Sequence, residues 1–359
     1  MAKKVEIRAL TGFRGVAALI VALYHFSRAL GSDRIFSVGP GYIAVDAFFV
    51  LSGYVLAYNY ASIFSARFSS SDYREFLIKR VCRIYPAYLA ILLIAAMKLH
   101  LNMGGGEQVA LQAWDAFCNI FMLTGWGLHA TPIIGVSWSV SAELFCYILF
   151  PLIALIAAQG TAILAVIAVG TLAVVVWLSH MGLGVQGPMD IVSPDHSFSL
   201  IRALCGFILG VIGYSLSERA GSGRLRMADY LLPVSVVALA LSWLWDATDL
   251  LSYLIIVLIV WLIAQGSRVG EGLFGNKPVY YLGQISYSLY LIHPLLVSGF
   301  TKIAKRLSPS IGLELSVALA LCAYLAVAIA LAHLSWFVFE KHGQRVMLRI
   351  LMPGRRAAA

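Results

Sequence analysis

Arg14-Gly-Val-Ala-Ala-Leu-Ile-Val-Ala-Leu-Tyr-His25 is an apolar run that begins with a permanent cation and ends with a titratable base. An α-helix turns about 100° per residue, so eleven steps close about three turns. Arg14 and His25 therefore share one stripe of a helix, roughly 16 Å apart along its axis. Ionisable groups inside a membrane span are costly, and they line cavities or pathways when they are kept. The run reads as a spanning helix with a polar stripe facing the protein interior.

The rest of the chain agrees with a membrane setting. Its 359 residues are 61% hydrophobic and 12% charged, with a mean hydropathy of +0.87. Ordinary soluble domains are far more polar. Many segments approach the roughly 20 apolar residues that a spanning helix needs. The first lacks a small-residue cleavage site, so it reads as a retained span and not a signal peptide. The expected fold is an all-α polytopic bundle of ten transmembrane helices. The spans fall at about 12–31, 42–62, 84–101, 138–157, 161–180, 198–217, 230–246, 250–266, 280–300 and 313–338. A further stretch at about 110–127 holds Asp115 and Asn119 and reads as a re-entrant or interfacial helix.

Charge chooses between ten spans and eleven. With ten spans and both ends in the cytoplasm, most of the 26 Lys and Arg fall on the inside, as the positive-inside rule requires. An eleventh span at 110–127 would put the Arg219–Arg226 cluster outside. The net charge of +9 is spread over short loops rather than along a basic stripe, so nucleic acid is not an expected partner. The five cysteines show no metal-like spacing, and no metal site is expected.

This topology sorts the polar residues into two layers. Arg14, Arg80, Arg83 and Tyr85, with Lys79, gather at the cytoplasmic face. His25, Asp46, Glu143 and His293 are expected toward the outer face. Each has a plain reading: headgroup-facing cations, a helix cap at Asp46, an interhelical hydrogen bond or a proline kink at His293. Glu143 lies deep enough to need a partner or a proton. Two carboxylates and two histidines from four helices would form an acid–base site. A proton-coupled secondary transporter would also use such groups. Transporters often carry internal repeats, and this chain shows none. A scaffolding protein would not need the Arg14–His25 stripe.

At these residues the chain resembles the acyltransferase-3 family of membrane O-acyltransferases. The resemblance rests on the Arg14-to-His25 spacing, Asp46-Ala-Phe-Phe-Val-Leu-Ser-Gly-Tyr54 and Arg83-Ile-Tyr-Pro86. It continues through Trp138-Ser139-Val-Ser-Ala-Glu143 with Tyr147 and Pro151, then Gly283-Gln-Ile-Ser-Tyr-Ser-Leu-Tyr-Leu-Ile-His293-Pro294, and Phe339-Glu340. It implies one transmembrane acyltransferase domain over 1–345 and a short basic cytoplasmic tail over 346–359, in a bacterial cytoplasmic (inner) membrane. The SGNH hydrolase-like domain of longer members is not expected after the last span. The implied reaction moves an acetyl or other short acyl group from cytoplasmic acyl-coenzyme A to a hydroxyl of an extracytoplasmic acceptor, a polysaccharide first among them. Arg14, Arg80, Arg83 and Tyr85 would bind the donor, acetyl-CoA. His25 would serve as general base or accept the acyl group itself, with Glu143 or Asp46 orienting it. His293, Trp138 and Ser139 would complete the site. Acyl-CoA, a glycan or lipid-linked glycan, and membrane lipids are the expected partners.

Overall fold

A computed structural model describes residues 6–31, 35–65, 68–101, 112–221, 226–244 and 249–353. Lys3, Lys4, Arg34, Arg67, Arg224, Arg355 and Arg356, the first residues of the 110–127 stretch and the end of the expected tail lie outside them. Among the described residues there is no strand.

The helices run α1 (Arg8–Ala29), α2 (Ala44–Phe64), α3 (Ser70–His100), α4 (Ala113–Ile120), α5 (Ser137–Ala157), α6 (Thr161–Ser179) and α7 (Phe198–Ala220). They continue as α8 (Ala228–Leu244), α9 (Asp249–Ala264), α10 (Arg268–Phe274), α11 (Lys277–Gln284), α12 (Ser286–Ile311) and α13 (Leu313–Ser335). A π-helical stretch, Trp336–Gly343, joins α13 to α14 (Gln344–Leu351). Among the described residues, helix occupies most of each expected span. Among the described residues, seven helical stretches are long and apolar enough to cross a membrane, or eight if α9 and α10, bent by 106°, form one broken span. Helix α8 is shorter. In α12 the cations Lys302, Lys305 and Arg306 interrupt the apolar run.

Three boundaries differ from expectation. Helix α3 starts fourteen residues before the expected span, because Ser69 caps it by accepting from the Asp72 amide and the amphipathic run Asp72–Arg83 is itself helical. Among its described residues, the 110–127 stretch contains only the eight residues of α4 as helix. At about 1.5 Å per residue that is roughly 12 Å, too short to span. Its buried side is polar: Asp115 Oδ1 accepts from the Thr131 amide and Asn119 Oδ1 from the Ile133 amide. Its exposed side carries Trp114, Phe117 and Phe121. Finally, helix continues without a break through position 345, so the expected tail begins as helix.

Two close approaches set the helices that build the site. A Cβ on Gly53 of α2 would sit 2.0 Å from the Phe207 carbonyl of α7, and one on Gly15 of α1 would sit 2.4 Å from the Gly283 amide of α11. Only glycine allows either contact, and van der Waals packing of this kind drives helix association in lipid. The Gly15 contact brings the end of α11 to Arg14. Aromatic edges fill the space between α2, α3, α5 and α7, with Phe76 against Phe64, Tyr60, Tyr147 and Phe150.

Candidate functional site

Arg14 Nε donates to Ser286 Oγ at 3.0 Å, and one Nη donates to the Gly283 carbonyl at 3.0 Å. Both partners are neutral. Among the described residues no carboxylate forms an ion pair with Arg14. Arg14 lines a cavity of about 410 Å³ built from α1, α2, α3, α5 and α12. Arg80, Arg83, Ser139, Glu143 and Tyr290 line it too. Arg80 donates to Tyr60 Oη at 3.0 Å, with its guanidinium 5.1 Å from the ring centre. Among the described residues its buried Nε has no partner. Arg83 is exposed at the rim.

Two expected residues change place relative to this cavity. Tyr85 does not line this cavity; it packs partly buried against the apolar core. Arg80, Arg83 and Ile84 fall on one face at helical spacing i, i+3, i+4, and Tyr85 is turned off that face. Tyr287 from α12 lines the cavity instead, its hydroxyl donating to the Ile84 carbonyl at 3.0 Å. Glu143 is the second correction. It accepts from Ser52 at 3.2 Å and from Tyr147 at 2.5 Å. Ser52 lies six residues along α2 from Asp46, about 9 Å deeper. Glu143 thus belongs to the cavity of the arginines, within electrostatic reach of Arg14, and not to the histidine layer.

His25 and His293 do come together. Their rings are 5.0 Å apart, with His293 Nε2 3.3 Å from His25 Nδ1. His25 Nδ1 also lies 2.9 Å from the Val21 carbonyl. A carbonyl only accepts, so Nδ1 carries the proton and Nε2 is the basic nitrogen. His293 is fully buried, and its ring sits 5.8 Å from Tyr290. Tyr290 Oη meets Ser139 Oγ at 2.8 Å. The cavity therefore runs from the arginines to Ser139 and Tyr290, one turn of α12 short of the histidine pair.

Asp46 is not beside His25 as an orienting group. It is fully buried and forms a two-pronged ion pair with Arg202, Nε to Oδ1 at 3.0 Å and Nη2 to Oδ2 at 2.5 Å. Arg202 also donates to the Met189 carbonyl, and Trp138 contributes a ring 5.9 Å from its guanidinium. Arg202 was not singled out from the sequence; its place four residues into an apolar span was the available signal. Beside this pair, Tyr42 Oη donates to Asp249, which also accepts from the Met189 amide at 2.8 Å. Glu340 was known only as a late motif. The π-helical stretch delivers it to the start of α12, where it accepts from Ser288 Oγ at 2.6 Å and the Ser288 amide at 3.1 Å. Irregular helix of this kind recurs at functional positions. No group of three or more possible metal ligands occurs among the described residues.

A family model described as an acyltransferase domain matches residues 7–336. A Staphylococcus aureus protein provisionally named an O-acetyltransferase, SACOL0978, is 23% identical over 81% of this chain and 51% of its own length. The peptidoglycan O-acetyltransferase OatA of Listeria monocytogenes is 22% identical over 85% of this chain and 51% of its length. The acyltransferase MdmB of Streptomyces mycarofaciens is 31% identical over 41% of this chain and 39% of its length. The chain spans about half the length, or less, of these curated relatives. No solved structure matches it. The family match covers the cavity, the histidine pair and the helices that hold both, and on that match the chain belongs to the acyltransferase-3 family.

Proposed function

We propose that this protein is a transmembrane O-acyltransferase that moves an acetyl or other short acyl group from acyl-coenzyme A to a hydroxyl of an acceptor across the membrane. The observation that carries this reading is the single cavity joining three arginines to Ser139 and Tyr290, one turn short of a basic histidine nitrogen. The family and the relatives' names support acyl transfer. The surplus of Lys and Arg in the loops on the Arg14 side supports a cytoplasmic donor site and a ten-span topology with both ends inside, and the bacterial sources of the relatives are in keeping with a bacterial inner membrane.

The residues present suit the donor. Coenzyme A carries phosphates, which guanidinium groups grip with fork geometry. Among the described residues Arg80 has an unpartnered buried Nε and Arg14 has no anion of its own, and Arg83 is exposed at the rim. A cavity near 410 Å³ is ample for the thin pantetheine arm, since pockets of about 300–1,000 Å³ hold drug-sized ligands. At the far end His25 Nε2 would take the proton of the acceptor hydroxyl as its oxygen bonds the acyl carbon. The carbon–sulfur bond then breaks and coenzyme A leaves as the thiol, taking a proton. In the covalent variant the same nitrogen would first bond the acyl carbon as the carbon–sulfur bond breaks and coenzyme A leaves as the thiol; the acceptor hydroxyl would then take the acyl group from nitrogen and give up its proton. His293, against Nδ1, would hold the ring in place.

The acceptor most in keeping with the relatives is a cell-surface or exported polysaccharide. The test is acceptor-dependent release of coenzyme A from labelled acetyl-CoA by purified protein in proteoliposomes, with glycans supplied outside. Release that rises with acceptor supports transfer. Proton-coupled movement of a solute with no coenzyme A release would instead establish a transporter.

A further inference from the structure

At the His25 end of the bundle, most carboxylates are already engaged. Asp46 is closed by Arg202, and Asp249 accepts from both Tyr42 and the Met189 amide. Asp195 pairs with His129 on the surface. Asp190 is different. One of its oxygens accepts from the Gln186 amide at 3.2 Å, and among the described residues nothing donates to the other. Asp190 is half-buried and lies within electrostatic reach of both His25 and Arg202.

The loop that carries it is fixed rather than draped. Its tight turn closes through the Val185 amide on the Asp190 carbonyl and the Asp190 amide on the Gly187 carbonyl. Met189 is fully buried and is held at both backbone atoms, its carbonyl by Arg202 and its amide by Asp249. A Cβ on Gly187 would lie 2.1 Å from Tyr42 Oη, so the turn seats directly on the Tyr42–Asp249 pair. The Tyr42 ring meets the Tyr24 ring edge-on at 5.7 Å, and Tyr24 meets His25 at 5.3 Å. The buried polar network thus registers an extramembrane loop against the histidine.

We infer that Asp190 is a positioning residue for acyl transfer, whose loop is seated beside His25 through Tyr42 and Tyr24 and whose free carboxylate oxygen stabilises the imidazolium formed when Nε2 takes the acceptor's proton. This rests on the proposed acyltransferase reading. His25 meets His293 on α12 and Tyr24 on its own helix; Asp190 lies within its electrostatic reach, and Arg202 is closed on Asp46. Asp190 would fill the supporting role that the sequence assigned to Glu143 or Asp46.

The test uses the full chain, purified in detergent and assayed for acceptor-dependent coenzyme A release. Asp190→Asn keeps the shape and can still accept from the Gln186 amide, but it loses the charge. Its kcat is expected to fall about tenfold, the effect of roughly one partly solvated charge pair, with KM for acetyl-CoA unchanged and thermal unfolding as in the wild type. Asp190→Glu is expected to recover most of the loss. Wild-type kcat in Asp190→Asn, alongside an inactive His25→Ala, would overturn the inference. So would equal losses in Asp190→Asn and Asp190→Glu with a raised acceptor KM, which would mark the loop as merely structural. Full transfer by His25→Ala would instead overturn the proposed reaction itself.

Discussion

Arg202 offers its guanidinium to a carboxylate on two sides and to a backbone carbonyl on the third, with under 2% of the residue exposed. Arg14, also inside an apolar helix, meets a serine hydroxyl and a backbone carbonyl, and faces a cavity. The first charge is neutralised where it stands. The second has its direction set by neutral acceptors, which fix the fork without cancelling its charge. A buried cation that already owns its anion is architecture, because adding another anion gains little. A buried cation aimed by neutral groups into open space retains its field for a ligand. The same chain therefore holds two arginines of opposite use, and each can be tested through the other.

The largest effect should come from the closed pair. Removing one member strands a charge in a dry interior, at a cost of about 3–5 kcal/mol. Arg202→Met or Asp46→Leu alone should lower the thermal unfolding midpoint in detergent sharply. The double substitution should recover most of that loss, because no charge is left unpaired. If either single variant melts like the wild type, the pair is not holding the outer end together. Acetyl-CoA binding, measured on whatever folded fraction survives, should be nearly unchanged, since Arg202 does not line the cavity.

Next is His25→Ala, which removes the base. General-base catalysis is typically worth about 10²–10⁴-fold, and acceptor-dependent coenzyme A release should fall by that order. Unfolding should change little, because His25 is only partly buried. A well-folded variant with normal transfer would dismiss the histidine pair as the reacting centre.

The open arginine gives a smaller and more selective effect. Arg14→Lys keeps the charge but cannot reproduce the two directed bonds to Ser286 and Gly283. One charged hydrogen bond of the guanidinium fork to a donor phosphate is worth about 1.5–3 kcal/mol, so KM for acetyl-CoA should rise by roughly tenfold or more, with far less change in unfolding than at Arg202. The contrast with Arg202 is sharp only if the loss is confined to donor affinity. A Lys variant that binds donor normally would put Arg14 on the structural side.

These outcomes also show what could be read in advance. The Arg14–His25 stripe was legible because both residues sit on one helix, where spacing alone fixes direction. The helices themselves were legible from long apolar runs. Pairings between helices were not: Asp46 and Arg202 are 156 residues apart, and their meeting depends on how α2 lies against α7 through Gly53. Glu143 was assigned the wrong depth for the same reason, since the register of α5 against Ser52 decides it. Glu340 depends on a π-helical stretch, a local widening that no apolar periodicity announces. The loop carrying Asp190 has no pattern at all and acquires its place only from the buried network beneath it.

Tyr85 offers the smallest effect and the cleanest control on the cavity side. Its motif neighbours Arg83 and Pro86 made it a natural donor ligand, yet a residue two positions beyond Arg83 is rotated by about 200° around α3. The cavity face of α3 is Arg80, Arg83 and Ile84, and the hydroxyl that closes on it comes from Tyr287, bonded to the Ile84 carbonyl. Tyr85→Phe should therefore change KM for acetyl-CoA by no more than about twofold, within the range of an ordinary peripheral substitution. Tyr287→Phe loses one buried hydrogen bond, about 1 kcal/mol, at the cavity wall and should weaken donor binding several-fold. Measuring both under the same conditions ranks the two tyrosines directly. If Tyr85→Phe proves the more damaging, α3 is rotated from the position that brings Arg80 and Arg83 together, and the contrast between an open and a closed arginine loses its cavity.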